Sequence, residues 1–369
     1  MIDGRSRAKP KCRLARGRFT PLTALSRKRT RYPMRYPMKY RSIFSLLTAL
    51  CIGVMAGPSS AASAPDVVVS IKPVHSLVEA VMEGVGEPEL IIQGGASPHG
   101  YQMRPSQASA LNRADIIIWI GESMERFLTR PIANLGNESQ TVALTEVSGI
   151  SLLRFREGAV WADDDEHGHD EHGHDEHGHD EHGHDEHGHD EHDHAGEIDG
   201  HLWLDPANSR RIVEHVADLL ARQDPERAAT YQRNKIAVIE RIDALEMRLR
   251  SRLAAVRDRP FLVFHDAYQY FERAFDLEGL GAITLGPERR PSARRLTALR
   301  NALVEHDIAC VFTEPQFRPD LAFTVIEGTK TRTAEIDPIG ADIEAGPDAW
   351  FDILDRLGTT IADCLSAKG

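Results

Sequence analysis

Histidine is where the chemistry of this chain concentrates. The sequence holds 18 His residues, and twelve fall in one run where the pentad DEHGH repeats five times over 165–189, followed by an altered copy, DEHDH, at 190–194. The imidazoles come in pairs: His167 and His169, His172 and His174, His177 and His179, His182 and His184, His187 and His189, His192 and His194. Imidazoles flanked by carboxylates are weak ligands for zinc, copper or nickel, and they release metal as the rings protonate below about pH 6.5. The competing reading is a solvated acidic linker that grew by repeat slippage. On either reading residues 163–199 cannot bury apolar area, which predicts a disordered loop of about 40 residues.

Six histidines lie outside the run: His75, His99, His201, His215, His265 and His306. His215, on an amphipathic pattern after DPAN, and His306, in the last turn of another helical pattern, read as surface or capping residues. His75, in IKPVHS between a strand and a helix, reads either as a structural residue or as a neighbour of a site. The other three fall at telling places. His99 follows a strand in GGASPHGYQMRP, His201 directly follows the tract in GHLWLDP, and His265 ends the strand FLVFH. Asp337, just past RTAEI, occupies the matching place in the second half. Ligands of open α/β sheets gather beyond the carboxyl ends of strands. Three imidazoles and a carboxylate make a tetrahedral zinc set. Spacing alone carries little here, because the four are spread from 99 to 337.

The elements that would position them alternate between apolar β-rich runs and helical patterns. Strands are expected at 66–71, 88–93, 114–120 and 140–146, with helices at 74–84, 105–113 and 123–134. The alternation returns with strands at 259–265, 281–285, 307–314 and 332–337 and helices at 266–275, 292–306, 319–328 and 347–364. Nearly continuous apolar runs mark strands buried on both faces, as in parallel sheets. The fold class is therefore α/β: two lobes, 65–223 and 257–369, each a mainly parallel sheet flanked by helices. Between them 224–256 reads as one long helix, with Asp224 as N-cap, Pro225 as first residue, and an apolar stripe of Ile236, Ile239, Ile242, Leu245, Leu249, Leu253 and Val256. At 1.5 Å per residue that helix would be about 48 Å long, a stiff connector between lobes.

The charge is as segmented as the chemistry. Residues 1–41 carry 14 Lys/Arg and one Asp, 163–199 carry 17 Asp/Glu and no Lys/Arg, and the whole chain has a net charge of -12. What remains is a mildly acidic body, which excludes a nucleic-acid binder that carries its positive charge on the fold. A basic stretch, the apolar run SIFSLLTALCIGVMAG at 42–57 and the small residues SSAASAP describe a secretory signal peptide, with cleavage near Ala62. Translation is expected to begin at Met34 or Met38, where RYPMRYPMKYR leads into a conventional short positive start. A retained membrane anchor is the alternative, although the apolar run is short for a bilayer span. Beyond it only Cys310 and Cys364 remain. Two Cys in an exported chain suggest one disulfide, tying the strand IACVFTE to the last helix, or else two separately buried thiols.

Taken together, ASPHGYQMRPS, DGHLWLDP, FLVFHDAYQYFE, VFTEPQFRP and EIDPIG, with the His-rich insert immediately before His201, resemble a known family. From about 66 to 364 the chain is similar to the periplasmic zinc-binding proteins of ABC uptake systems, of the ZnuA type, in the cluster of metal-binding solute receptors. The resemblance implies two α/β lobes joined by one rigid helix, with the metal in the cleft between them. It implies that His99, His201 and His265 ligate Zn2+, that the fourth ligand is Asp337 or a water, and that Cys310 and Cys364 are paired. Some zinc members place a Glu before the first His, where this chain has Pro98. Manganese-selective relatives carry a carboxylate where His265 stands, and nitrogen donors favour zinc. Partners implied are an inner-membrane ABC permease and its cytoplasmic ATPase, with the receptor a soluble monomer of the periplasm and not an enzyme. Two rivals remain: a zinc-buffering or adhesion protein without a transporter, and a zinc hydrolase using Asp266 or Glu314 as base.

Overall fold

The computed structural model describes residues 63–134, 139–161, 197–284 and 291–367. The expected signal peptide at 1–62 and the twelve tract histidines lie outside the described residues. Strands β1 (Val67–Val69), β2 (Glu89–Leu90), β3 (Ile116–Trp119) and β4 (Gln140–Ala143) form one sheet in the order β2-β1-β3-β4. Strands β5 (Phe261–His265), β6 (Gly279–Thr284), β7 (Cys310–Thr313) and β8 (Arg332–Glu335) form a second, in the order β6-β5-β7-β8. Every pairing within both sheets is parallel. Each sheet therefore reverses its winding direction once, between its first and third strands. Such a reversal leaves a crevice at the strands' carboxyl ends.

The sequence explains which strands are central. Val67, Val68, Val69, Ile116, Ile117 and Ile118 are all buried, as strands covered on both faces must be. In β5 alternate residues face two different apolar clusters: Phe261 and Val263 join the large one, Leu262 and Phe264 a smaller one behind the second sheet. The outer strands β4 and β8 read QTVA and RTAE, and only Val142 of these eight residues is fully buried.

Helices cover the sheets: α1 (Lys72–Met82), α2 (Pro105–Arg113), α3 (Arg126–Ala133), α4 (Pro206–Gln223), α5 (Ala228–Leu253), α6 (Gln269–Phe275), α7 (Ala293–Glu305), α8 (Asp320–Ile326) and α9 (Ala349–Ser366). Their positions agree with the sequence reading to within a few residues. The start of α5 does not. Asp224 ends α4, and its carboxylate accepts from the Arg227 guanidinium at 2.8 Å and from the Tyr231 hydroxyl at 2.9 Å. The DPER turn thus closes a hairpin of two helices, and α5 begins only at Ala228. Its 26 residues span about 39 Å.

The apolar stripe of α5 also needs one correction. Ile242, Leu245, Leu249 and Leu253 are buried as expected, joined by Tyr231 and Val238, but Ile236 is 58% exposed. Val238, not Ile236, keeps the three-and-four spacing that leads to Ile242. This buried face packs on α1, α4 and α9, and a single apolar cluster continues from β1 and β3 through α5 to β5 and Trp350. Gly358 lets α9 approach closely, because a Cβ there would stand 2.6 Å from Leu249 Cδ2. Cys310 of β7 and Cys364 of α9 form the disulfide, with Cα atoms 6.3 Å apart. Among the described residues no helix is long and apolar enough to cross a membrane.

Candidate metal centre

His265 is the last residue of β5, so the strand itself aims it past the sheet's carboxyl edge. It is 4% exposed, and its Nδ1 lies 2.6 Å from Oε1 of Glu314, the residue that follows β7. His201 stands behind Gly200, which packs where a Cβ would meet Met124 at 2.9 Å. Its Nδ1 lies 2.6 Å from Oδ1 of Asp199, which also accepts from the His201 backbone N–H at 2.9 Å. The second Asp199 oxygen accepts from Gln269 Nε2 at 2.7 Å, and the Asp199 carbonyl accepts from the Tyr270 hydroxyl at 2.8 Å. Each buried imidazole therefore has a carboxylate on Nδ1, the arrangement that fixes the ring and leaves the Nε2 lone pair for a metal.

His99 arrives on the loop between β2 and α2 and is half-buried. Backbone bonds from Ile91 to Val69 and from Ile92 to Ser70, each 2.9 Å, hold the start of that loop. At its far end the Gln107 amide donates to the Ile91 carbonyl at 2.6 Å and to the Tyr101 hydroxyl at 2.7 Å.

The three rings converge. His201 Nε2 lies 3.4 Å from His99 Nε2 and 3.4 Å from His265 Nε2. One ligand atom from each ring falls within 4.8 Å of the others. Zinc–nitrogen bonds of about 2.0–2.1 Å at tetrahedral angles place neighbouring nitrogens about 3.3 Å apart, so the spacing suits that ion. Burial, and then the charge of His265, hold the His201 pKa well below the usual imidazole value, which keeps its lone pair free. Burial also opposes the charged form of His265, but the Glu314 carboxylate prevails and raises it. Burial pushes Asp199 up to about 7.

Asp337 is not part of this group of three. Its carboxylate accepts from Gln316 Nε2 at 2.8 Å, from the Ile339 N–H at 3.0 Å and from the Ala341 N–H. His75 belongs to α1, where Nε2 lies 2.8 Å from the Pro88 carbonyl, away from the three rings. His215 is half-buried in α4, and His306 caps the end of α7. Residues 197–199 are ordered, not the end of the disordered loop expected over 163–199: Ile198 bridges to Arg154, and Asp199, two residues before His201 in DGH, is fully buried as the partner of its ring. The sequence reading did not pick out Asp199 as that partner. It named Glu314 only as a possible base. It also missed Arg156, whose guanidinium pairs with buried Asp266 and Glu272 and stacks 3.4 Å over Trp161. No motif marked that residue.

The family description "Zinc-uptake complex component A periplasmic", ZnuA, matches residues 67–364. The high-affinity zinc uptake system protein ZnuA of Brucella suis is 47% identical over 316 residues, covering 84% of this chain and 94% of that protein. Its counterpart in Paracoccus denitrificans is 41% identical over 324 residues, covering 88% and 98%. A zinc-bound deletion mutant of a ZnuA shares the fold, with a TM-score of 0.66 at 23% identity over 83% of this chain and 100% of that one. On that match, nearly the whole of the described fold, the chain belongs to the ZnuA family.

Proposed function

We propose that this chain is a receptor that captures Zn2+ in the periplasm and delivers it to an inner-membrane ABC permease driven by a cytoplasmic ATPase. Zinc is its cargo. The observation that carries the reading is the convergence of three Nε2 atoms, two of them on buried rings braced by carboxylates. His99, His201 and His265 supply three ligands, and the fourth falls to Asp337 or to water. Water is favoured by the three hydrogen bonds that the Asp337 carboxylate already accepts. Residues 65–223 and 257–369 act as two lobes with the ion between them, and the segment 224–256, with α5 at its centre, limits how far they part. Residues 1–62 deliver the chain to the periplasm, and the tract collects zinc at lower affinity beside His201.

A hydrolase reading fares worse, because each acid it needs is engaged. Glu314 holds His265, and Asp266 accepts from the Arg156 backbone N–H at 3.2 Å and pairs with its guanidinium. A competitive zinc titration of the chain lacking 163–197 tests the receptor reading. One tight site is expected; a nanomolar one corresponds to about −12 kcal/mol. Finding none would leave the tract as the zinc-binding element, and a buffering role would replace capture.

A further inference from the structure

The loop that follows β8, residues 337–343, is folded around its own Asp337, which accepts backbone N–H bonds from Ile339 and Ala341. Three pieces of the first half rest on this loop. The Lys72 ammonium, on a residue 2% exposed, donates to the carbonyls of Gly340 and of Ile343, the latter at 2.6 Å. The Trp203 indole N–H donates to the Pro338 carbonyl at 3.0 Å. Gly95 presses on Ala341 so closely that a Cβ at 95 would overlap the Ala341 Cβ and stand 3.2 Å from its Cα. The Gly95 backbone is not in the left-handed region, so its conformation does not demand glycine. The space does.

Gly95 lies four residues before His99, on a loop held at its start by β1 and at its end by Gln107. The stretch between those anchors carries the ligand, and it meets the second half at Ala341. We propose that the Gly95–Ala341 contact sets the reach of His99. The loop after β8 is a seat on which the His99 loop comes to rest, and the seat places its Nε2 3.4 Å from that of His201. Gly95 and Ala341 are thus positioning residues that act through His99. Asp337 acquires a role that needs no bond to the ion, because its carboxylate shapes the seat. A misplacement of well under 1 Å is enough to weaken a metal site whose ligands sit on preorganised elements.

This inference rests on the proposed capture of zinc, and the test separates the two. Zinc affinity is measured against a competing chelator in the wild-type chain, in Gly95→Ala, in Ala341→Gly and in the double variant. Gly95→Ala is expected to weaken the tight site at least tenfold, and adding Ala341→Gly to recover most of that loss. Ala341→Val, which presses on the contact from the other side, should weaken binding too. In a His99→Ala background Gly95→Ala should change affinity by less than twofold, an outcome that a general loss of stability would not produce. Unchanged affinity in Gly95→Ala, no recovery in the double variant, or a full tenfold loss without His99 would each overturn the proposal. Hydrogen exchange over residues 94–103 of the zinc-free chain reads the contact independently. Faster exchange in Gly95→Ala, reversed in the double variant, together with no tight site in wild type, would keep the contact and reject zinc capture.

Discussion

His265 and His99 reach the same point from different kinds of support. His265 is the final residue of a strand flanked on both sides, by β6 and β7, and Glu314 locks its ring. His99 rides half-buried on a loop nine residues beyond the end of β2, seated against Ala341. The sheets behind them have the same strand order, so the difference is not one of topology. One half of the site is fixed by the sheet, and the other half is completed when a loop finds its seat. A site divided in this way can hold a cation tightly and still have a part that yields on release.

The largest effect should come from removing the imidazole that the sheet fixes. His265→Ala is expected to weaken zinc binding by about 1,000-fold, about 4 kcal/mol. His99→Ala should cost clearly less, because an imidazole on a loop spends more of its binding energy on being ordered. Equal losses in a side-by-side titration would erase the distinction between the two supports.

The second half should also show its bracing in stability. Replacing both Cys310 and Cys364 with Ser reopens a 54-residue separation and should lower unfolding free energy by about 4 kcal/mol in the chain-entropy model. Denaturant melts measure this, and zinc affinity should move far less. A change in affinity as large as that of His265→Ala would show that the fixed half is not fixed by its sheet alone.

A smaller effect is expected at the carboxylate behind the ring. Glu314→Gln should weaken zinc by about 10–100-fold, the usual cost of altering a hydrogen-bonding partner of a ligand. No change would mean that β5 alone orients His265.

The smallest effect sharpens the contrast from the first sheet. There the buried Glu125 accepts from the N–H groups of Ile120 and Gly121, at 2.9 and 3.1 Å, and serves backbone instead of a ligand. Burial pushes its carboxyl up to about 7 from an ordinary 4.5. The folded chain then keeps a proton that the unfolded chain releases between those values. The stability Glu125 contributes is complete below 4.5 and is lost as pH rises through 7. In zinc-free thermal melts Glu125→Gln should therefore gain on wild type as pH rises across that window, with zinc affinity unchanged. A pH-independent difference between the two would show that Glu125 does not titrate there.

Much of the site was legible because strand ends are legible. FLVFH stops at a histidine, and an apolar run that ends on an imidazole announces a residue at a sheet edge. The cysteine count suggested one disulfide without excluding two buried thiols, and Cys310 and Cys364 are joined. Ambiguity entered where one signal serves two structures. An Asp-Pro pair starts helices, but it also makes tight turns, and at 224–225 the Asp carboxylate was claimed by Arg227 and Tyr231. Ile236 fitted a stripe that the helix rotates into solvent, since Val238 occupies the buried position. The Glu314–His265 bond joins residues 49 apart in sequence, and the Arg156–Asp266 pair joins residues 110 apart. No local pattern encodes either, because tertiary packing alone brings them together.

The four outermost strands carry one more consequence. β2 is two residues long, and its exposed Glu89 pairs with Arg113 at 3.6 Å. β4 and β8 present Gln140, Thr141, Arg332 and Glu335, while β6 is covered by the antiparallel bridge from Val160 to Gly281. A bare apolar edge recruits strands from other molecules, and short, polar or covered edges do not. Crowded with copies of itself, this chain is thus guarded against its sheets joining edge to edge, and the surfaces around the three imidazoles stay unshared.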